Sequence, residues 1–262
     1  MRALVHDRGQ SILGVRRVDL SPEWGGNEDE SVCSRFRRNL AGSRCLALVF
    51  FAAERVPRCL SKVLALIRAM GRLDEGLAES REAARLDPLS VQPFHDMAIN
   101  ALIRTDFEKA AAGVRHTIKI DSDWTWGYIK LARSLSLEKK CNEAFAQAEI
   151  AERRIAGGVG ALFRAWLGST YATCGDVNRA RQKLGELQAF QAKGYVDPAT
   201  FADIYASLGE IDEAVSWFQK AYEDRSPDMV YAQVGSRLNP QLAANVGYRA
   251  IMDKMAFPPS AK

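Results

Sequence analysis

Residues 201–223 read FADIYASLGEIDEAVSWFQKAYE, from Phe201 to Glu223, and this stretch decides the fold. Phe201, Ala202 and Tyr205 have the spacing of one buried helical face, and Ile211, Ala214, Phe218 and Ala221 that of a second. Gly209 separates the two runs. Asp212 and Glu213 open the second, where carboxylates meet the positive end of a helix. Ala214 is small enough to let that helix lie close against a neighbour.

The design recurs upstream. Gly76, Ala110, Ala144, Ala180 and Ala214 stand 34, 34, 36 and 34 residues apart, and Gly71, Gly175 and Gly209 each precede one of them by five. A period near 34 means stacked helix pairs, each burying its apolar face only against its neighbours. Five repeats are expected between 57 and 226, at 57–88, 91–122, 125–156, 161–191 and 195–226. The first has Leu60, Val63, Leu64 and Ile67, then Gly71, with Ala83 and Leu86 continuing the inner face until Asp87-Pro88 ends it. The second has Phe94, Met97, Ala98 and Ala101, then Phe107, Ala110, Val114 and Ile118, with Thr105-Asp106 where the first turn has glycine. The third has Tyr128, Leu131, Ala132 and Leu135, then Cys141, Ala144, Ala148 and Ala151, and its turn, Glu138 to Lys140, is the least typical. The fourth reads Leu167, Gly168 and Tyr171, then Gly175, Asp176, Val177 and Ala180.

Outside the repeats, residues 1–33 carry no helical period and combine turn formers with acids at 21–30, so a poorly ordered lead is expected. Residues 34–56 turn helical and are expected to cap the first repeat. Gly157, Gly158 and Gly160 loosen the connection between the third and fourth repeats. After Ser226-Pro227 the period fails, but Asn239-Pro240 is a strong helix start. Leu242, Val246, Ile251 and Met255 are expected to cover the last repeat, which makes 227–262 a C-terminal cap and tail.

This pattern resembles the tetratricopeptide repeat, and the resemblance covers about two-thirds of the chain. It implies an all-α, right-handed superhelical solenoid of antiparallel helix pairs, with Gly76, Ala110, Ala144, Gly168, Ala180, Ala202 and Ala214 as the small packing residues. It also implies a non-enzymatic protein-binding function. The stretch from Tyr195 through Phe257, with Asp197-Pro198, Ala221-Tyr222-Glu223 and Ser226-Pro227, is similar to the closing segment of arrays attached to bacterial winged-helix regulators, cyclases and serine/threonine kinases. That second likeness implies an alternative role, a regulatory module of a signal-transduction or transcription system, as an accessory or detached C-terminal part.

Composition narrows the function further. The net charge of +4 is small for 262 residues and its basic residues are spread out, so nucleic acid is not an expected partner. The most apolar run, Leu46 to Ala53, is far shorter than the roughly 20 residues of a spanning helix. The start, Met1 to Arg8, lacks the apolar core of a secretory signal. The five cysteines, Cys33, Cys45, Cys59, Cys141 and Cys174, are odd in number and form no CxxC pair, which points to reduced thiols in a cytoplasm and to no metal site. The three histidines, His6, His95 and His116, sit in no catalytic motif. Neither a cofactor nor catalysis is expected, and Gly157-Gly158-Val159-Gly160 has no lysine after it to make a phosphate loop.

The family lines its concave wall with the outward side of each repeat's first helix. Projected onto this sequence, that side carries His95 and Asp96, then Trp126, Lys130 and Arg133, then Trp166 and Ser169, then Asp203. Two indoles with two cations between them suit an acidic peptide bearing an apolar anchor. The alternative for either tryptophan is simple packing between helices. Trp124 and Trp217 are expected to be structural. Ser61 and Ala65 stand where chaperone-tail-binding members of the family carry polar clamp residues, so that ligand is disfavoured.

Overall fold

A computed structural model describes residues 71–155 and 160–255, all within one compact unit. The described chain is helical throughout: α1 Leu73–Leu86, α2 Val91–Ile103, α3 Phe107–Ile120, α4 Thr125–Leu137, α5 Cys141–Ile155, α6 Ala161–Thr173, α7 Val177–Gln191, α8 Pro198–Leu208 and α9 Ile211–Glu223. A 3-10 turn, Pro227–Tyr231, leads into α10 Ala232–Leu238, α11 Pro240–Ala244 and α12 Val246–Met255. The expected lead at 1–33, the N-terminal cap at 34–56, the first helix of the first repeat with Ser61 and Ala65, and the Gly157-Gly158 connection lie outside the described residues.

Antiparallel neighbours pack as pairs, α2 with α3, α4 with α5, α6 with α7 and α8 with α9, and the first helices α4, α6 and α8 also lie side by side. This is an all-α, tetratricopeptide-like solenoid. Many of the residues the period selects lie in its core. Ala110, Ala144, Ala180, Ala202 and Ala214 are at most 1% exposed, and Leu167, Tyr171, Phe201 and Ile204 are fully buried. Gly76 and Gly168 are buried as well. At Gly168 the approach is closest, since a Cβ there would stand 2.5 Å from Ile204 Cδ1 and 3.1 Å from Lys183 Cβ.

The turns share one geometry whether or not they contain glycine. Gly175 and Gly209 have φ of 79° and 82°, and Thr105 and Lys139 occupy the same place with φ of 61° and 63°. In each case the next amide reaches back five residues: Asp106 to Ala101, Lys140 to Leu135, Asp176 to Tyr171 and Glu210 to Tyr205, at 2.9–3.0 Å. This Schellman closure satisfies carbonyls that the helix end leaves open. The third turn, atypical in sequence, is therefore ordinary in shape. Arg225, φ 52°, ends α9 in the same way, with Ser226 N–H reaching Ala221 O at 2.8 Å. Asp106 and Asp176 cap the following helices, accepting from Lys109 and Arg179 amides at 3.1 and 3.0 Å.

Four sequence expectations need correction. Cys141 and Cys174 form a disulfide, with Cα atoms 5.6 Å apart, so the reading of uniformly reduced thiols fails for this pair. Cys141 opens α5 and Cys174 caps α6, so stacking brings the intra-repeat turns of adjacent repeats together. Leu86, the last residue of α1, is 58% exposed rather than on the inner face. Val246 is 72% exposed, and Tyr248 takes its place, 1% exposed and edge-on to Phe218 of α9. Leu242 and Ile251 are buried with it in the cluster on α9. Finally, the segment 227–238 does more than extend this cover, because α10 reaches back along the array to touch α2. No helix among the described residues is long and apolar enough to cross a membrane.

Candidate functional site

The first helices α4, α6 and α8 place Arg133, Ser169 and Asp203 one repeat apart, and their adjacency turns that sequence spacing into a shared surface. All three line one cavity of about 340 Å³. Leu102 of α2 and Trp166 of α6 extend the wall, and Tyr231, Val234 and Leu238 of the returning segment face them. Two side-chain bonds hold that segment in place. Asn239 donates through Nδ2 to Ala206 O at 2.6 Å while its Oδ1 caps α11 by accepting from Leu242 N–H at 3.1 Å. The Tyr248 hydroxyl donates to Ala232 O.

Arg133 ties neighbouring repeats together. Its Nη1 donates to Ser169 O at 2.9 Å and to Thr173 Oγ1 at 2.5 Å. Burial pushes the Arg133 guanidinium down to about 10, against the attraction of Asp203, and it remains a cation at neutral pH. The Asp203 carboxyl touches the water of the groove yet is hemmed in by protein. Desolvation raises it to about 7, Arg133 opposes the rise, and Asp228 and Asp197 add to it. Asp228, on the 3-10 turn, is raised to about 6 by desolvation and then by Asp197. The Ser169 hydroxyl is buried and has no hydrogen-bond partner.

Lys130, one turn before Arg133, sits over both indoles, 4.9 Å from the Trp126 ring centre and 4.4 Å from that of Trp166. The indoles meet edge to face at 6.1 Å, and Trp126 also stacks on Phe163 at 4.2 Å. Both tryptophans are half-buried. They pack and present a face at the same time, so the two readings of these residues are not exclusive. His95 and Asp96 lie apart from the cavity. Asp96 is 1% exposed and accepts from Gln92 Nε2 at 3.1 Å, and His95 packs edge-on to Trp124 at 5.0 Å. Trp217 stacks on Phe201 at 4.3 Å.

Sequence reasoning missed Thr173 and the entire opposing wall, Tyr231, Val234 and Leu238. For Thr173 a signal existed, since it lies one helical turn beyond Ser169 on the same face. Among the described residues no cluster of histidine, cysteine and carboxylate side chains has the makings of a metal site.

Comparison with known proteins agrees with this geometry. The tetratricopeptide repeat family model matches residues 199–223. None of the curated proteins matches the chain in sequence. Among solved structures, the crystal structure of a thermophilic TPR protein from Thermus thermophilus is similar, with a TM-score of 0.52 and 21% identity over 68% of this chain and 97% of that one. At that identity the likeness speaks for the fold. With one repeat matched in sequence and the helix-pair array matched in three dimensions, the chain carries a tetratricopeptide repeat at residues 199–223 within a tetratricopeptide-like fold.

Proposed function

We propose that the chain is a non-enzymatic interaction scaffold whose concave face holds a protein or peptide, acidic in character and carrying an apolar anchor. Tetratricopeptide repeats indicate a protein–protein interaction module. The observation that carries the finer reading is the placement of the Lys130 ammonium between the Trp126 and Trp166 rings. Indoles already held by Phe163 and by each other lose little freedom on binding, and rigid aromatic anchors of this kind dominate interface energetics. A ligand carboxylate at Lys130 would gain a charge-assisted contact in a partly dry setting.

Fluorescence anisotropy of labelled acidic peptides bearing one aromatic residue, with their lysine-substituted counterparts as controls, tests this on the full chain. The acidic set is expected to bind more tightly. Lys130→Gln should weaken it about tenfold, the size of one charge-assisted hydrogen bond, and flatten its salt dependence. Trp126→Ala, verified as folded by circular dichroism, should weaken both sets. Equal affinity for acidic and basic peptides would reject the acidic-ligand reading.

A further inference from the structure

We propose that the chamber between Arg133 and Asp203 binds a small zwitterion, an α-amino acid with an apolar side chain. This goes beyond the peptide-binding wall at Trp126 and Lys130 and does not depend on it. The returning segment is the first observation. Held by Asn239 on Ala206 and by Tyr248 on Ala232, it closes one side of the groove. What remains is a chamber of about 340 Å³, within the size range of small-molecule sites.

The second observation is a pair of opposite charges that line the same chamber without meeting. Among the described residues no carboxylate lies within ion-pair distance of Arg133, and no cation within that distance of Asp203, yet each feels the other's field. Both hydrogen bonds of Arg133 leave from Nη1, so the rest of the guanidinium fork is left for a ligand carboxylate. Asp203, two repeats along the same wall, suits an ammonium. A ligand carrying both groups completes the electrostatics that neither residue completes alone. The Ser169 hydroxyl, 4% exposed and unpartnered, stands beside them as a further donor or acceptor. Leu102, Val234 and Leu238 supply the apolar part of the lining.

Isothermal titration of the full chain at pH 8, where the Asp203 carboxyl is ionised, with L-leucine, 4-methylpentanoate and 3-methylbutylamine separates the whole zwitterion from its two halves. Leucine is expected to bind with one site, at least about tenfold more tightly than either half. Asp203→Asn should weaken leucine about tenfold and tighten 4-methylpentanoate, because the carboxylate that repels the acid is gone. That gain of affinity is a result misfolding cannot produce. Arg133→Gln should weaken leucine and the acid and tighten the amine, because the guanidinium that repels it is gone. No leucine binding at millimolar concentration, or equal binding of all three probes, overturns the proposal. Trp126→Ala provides the separation from the scaffold reading, since it should lower peptide affinity and leave leucine affinity intact.

Discussion

Thr105 is a β-branched residue in the left-handed region, at φ 61°, where steric conflict at Cβ costs an ordinary residue about 1–2 kcal/mol. Gly175 and Gly209 close equivalent turns with the same back-reaching amide bond. Thr105→Gly should therefore relieve that strain without disturbing the Asp106 N–H to Ala101 O bond. Glycine gives back part of the gain, about 0.5–1 kcal/mol, through the extra freedom of the unfolded chain. The hydroxyl that Thr105 loses bonds only the carbonyl of Arg104, at an exposed site, and water replaces it. The net expectation is a stabilisation of about 0.5–1 kcal/mol, or a rise of about 1–4 °C in midpoint for a chain of this size. The reverse swap, Gly209→Thr, should cost at least as much as Thr105→Gly returns. Thermal and urea unfolding followed by circular dichroism at the helical band measure both. If Thr105→Gly destabilises, or if Gly209→Thr is neutral, the turns are not equivalent in energy and the shared geometry is misleading.

Three further outcomes follow from the packing and the charges. Gly168→Ala forces a methyl group to within 2.5 Å of Ile204 Cδ1; overpacking costs about 1–3 kcal/mol against at most about 1 from helix propensity. Ile204→Val in the same background should recover part of the loss, and a strictly additive pair would show that the two do not clash. Asp203 is raised in the folded chain, so its effect on stability is fully favourable below the unfolded value of ordinary aspartate and fades as pH rises toward about 7. The groups that act on it are Arg133, Asp228 and Asp197. Asp203→Asn should therefore flatten the fall in melting temperature between about pH 4 and 7, and an unaltered pH profile would contradict the raised carboxyl. Removing the Cys141–Cys174 bond, which spans 33 residues, by the double serine variant should cost about 3–4 kcal/mol on loop-entropy grounds; a variant as stable as the parent under oxidising conditions would show that the bond contributes nothing.

Much of the array was legible because its constraint is local and periodic. A small residue every 34 positions and glycine at fixed offsets need no knowledge of distant contacts, and the small buried residues at the helix crossings follow from them. Thr105 and Lys139 show where letter-by-letter reading falls short, since backbone geometry imposed by two helices on their connector persists with residues that resist it. The cysteine pair was readable in principle. Cys141 follows and Cys174 begins the intra-repeat turns of adjacent repeats, so their spacing of nearly one period was the signal, and treating the cysteines as a total concealed it. On the concave wall, Arg133, Ser169 and Asp203 follow from projecting one helical face through three repeats. The depth of that wall does not follow, because it depends on residues 227–238, whose sequence has no period and whose place is set by long-range hooks such as Asn239 on Ala206.

The contact between α10 and α2 changes the topology of an otherwise linear object. A stack whose units touch only their neighbours loses or gains a repeat at the end with little consequence in the middle. Here the end of the described chain is tethered to a unit several repeats earlier, so the array behaves as a closed ring of dependencies. Insertion or deletion of one repeat unit between α2 and α10 would misplace the tether and open the chamber. Changes in repeat number are therefore penalised within this span, and α10 fixes the count.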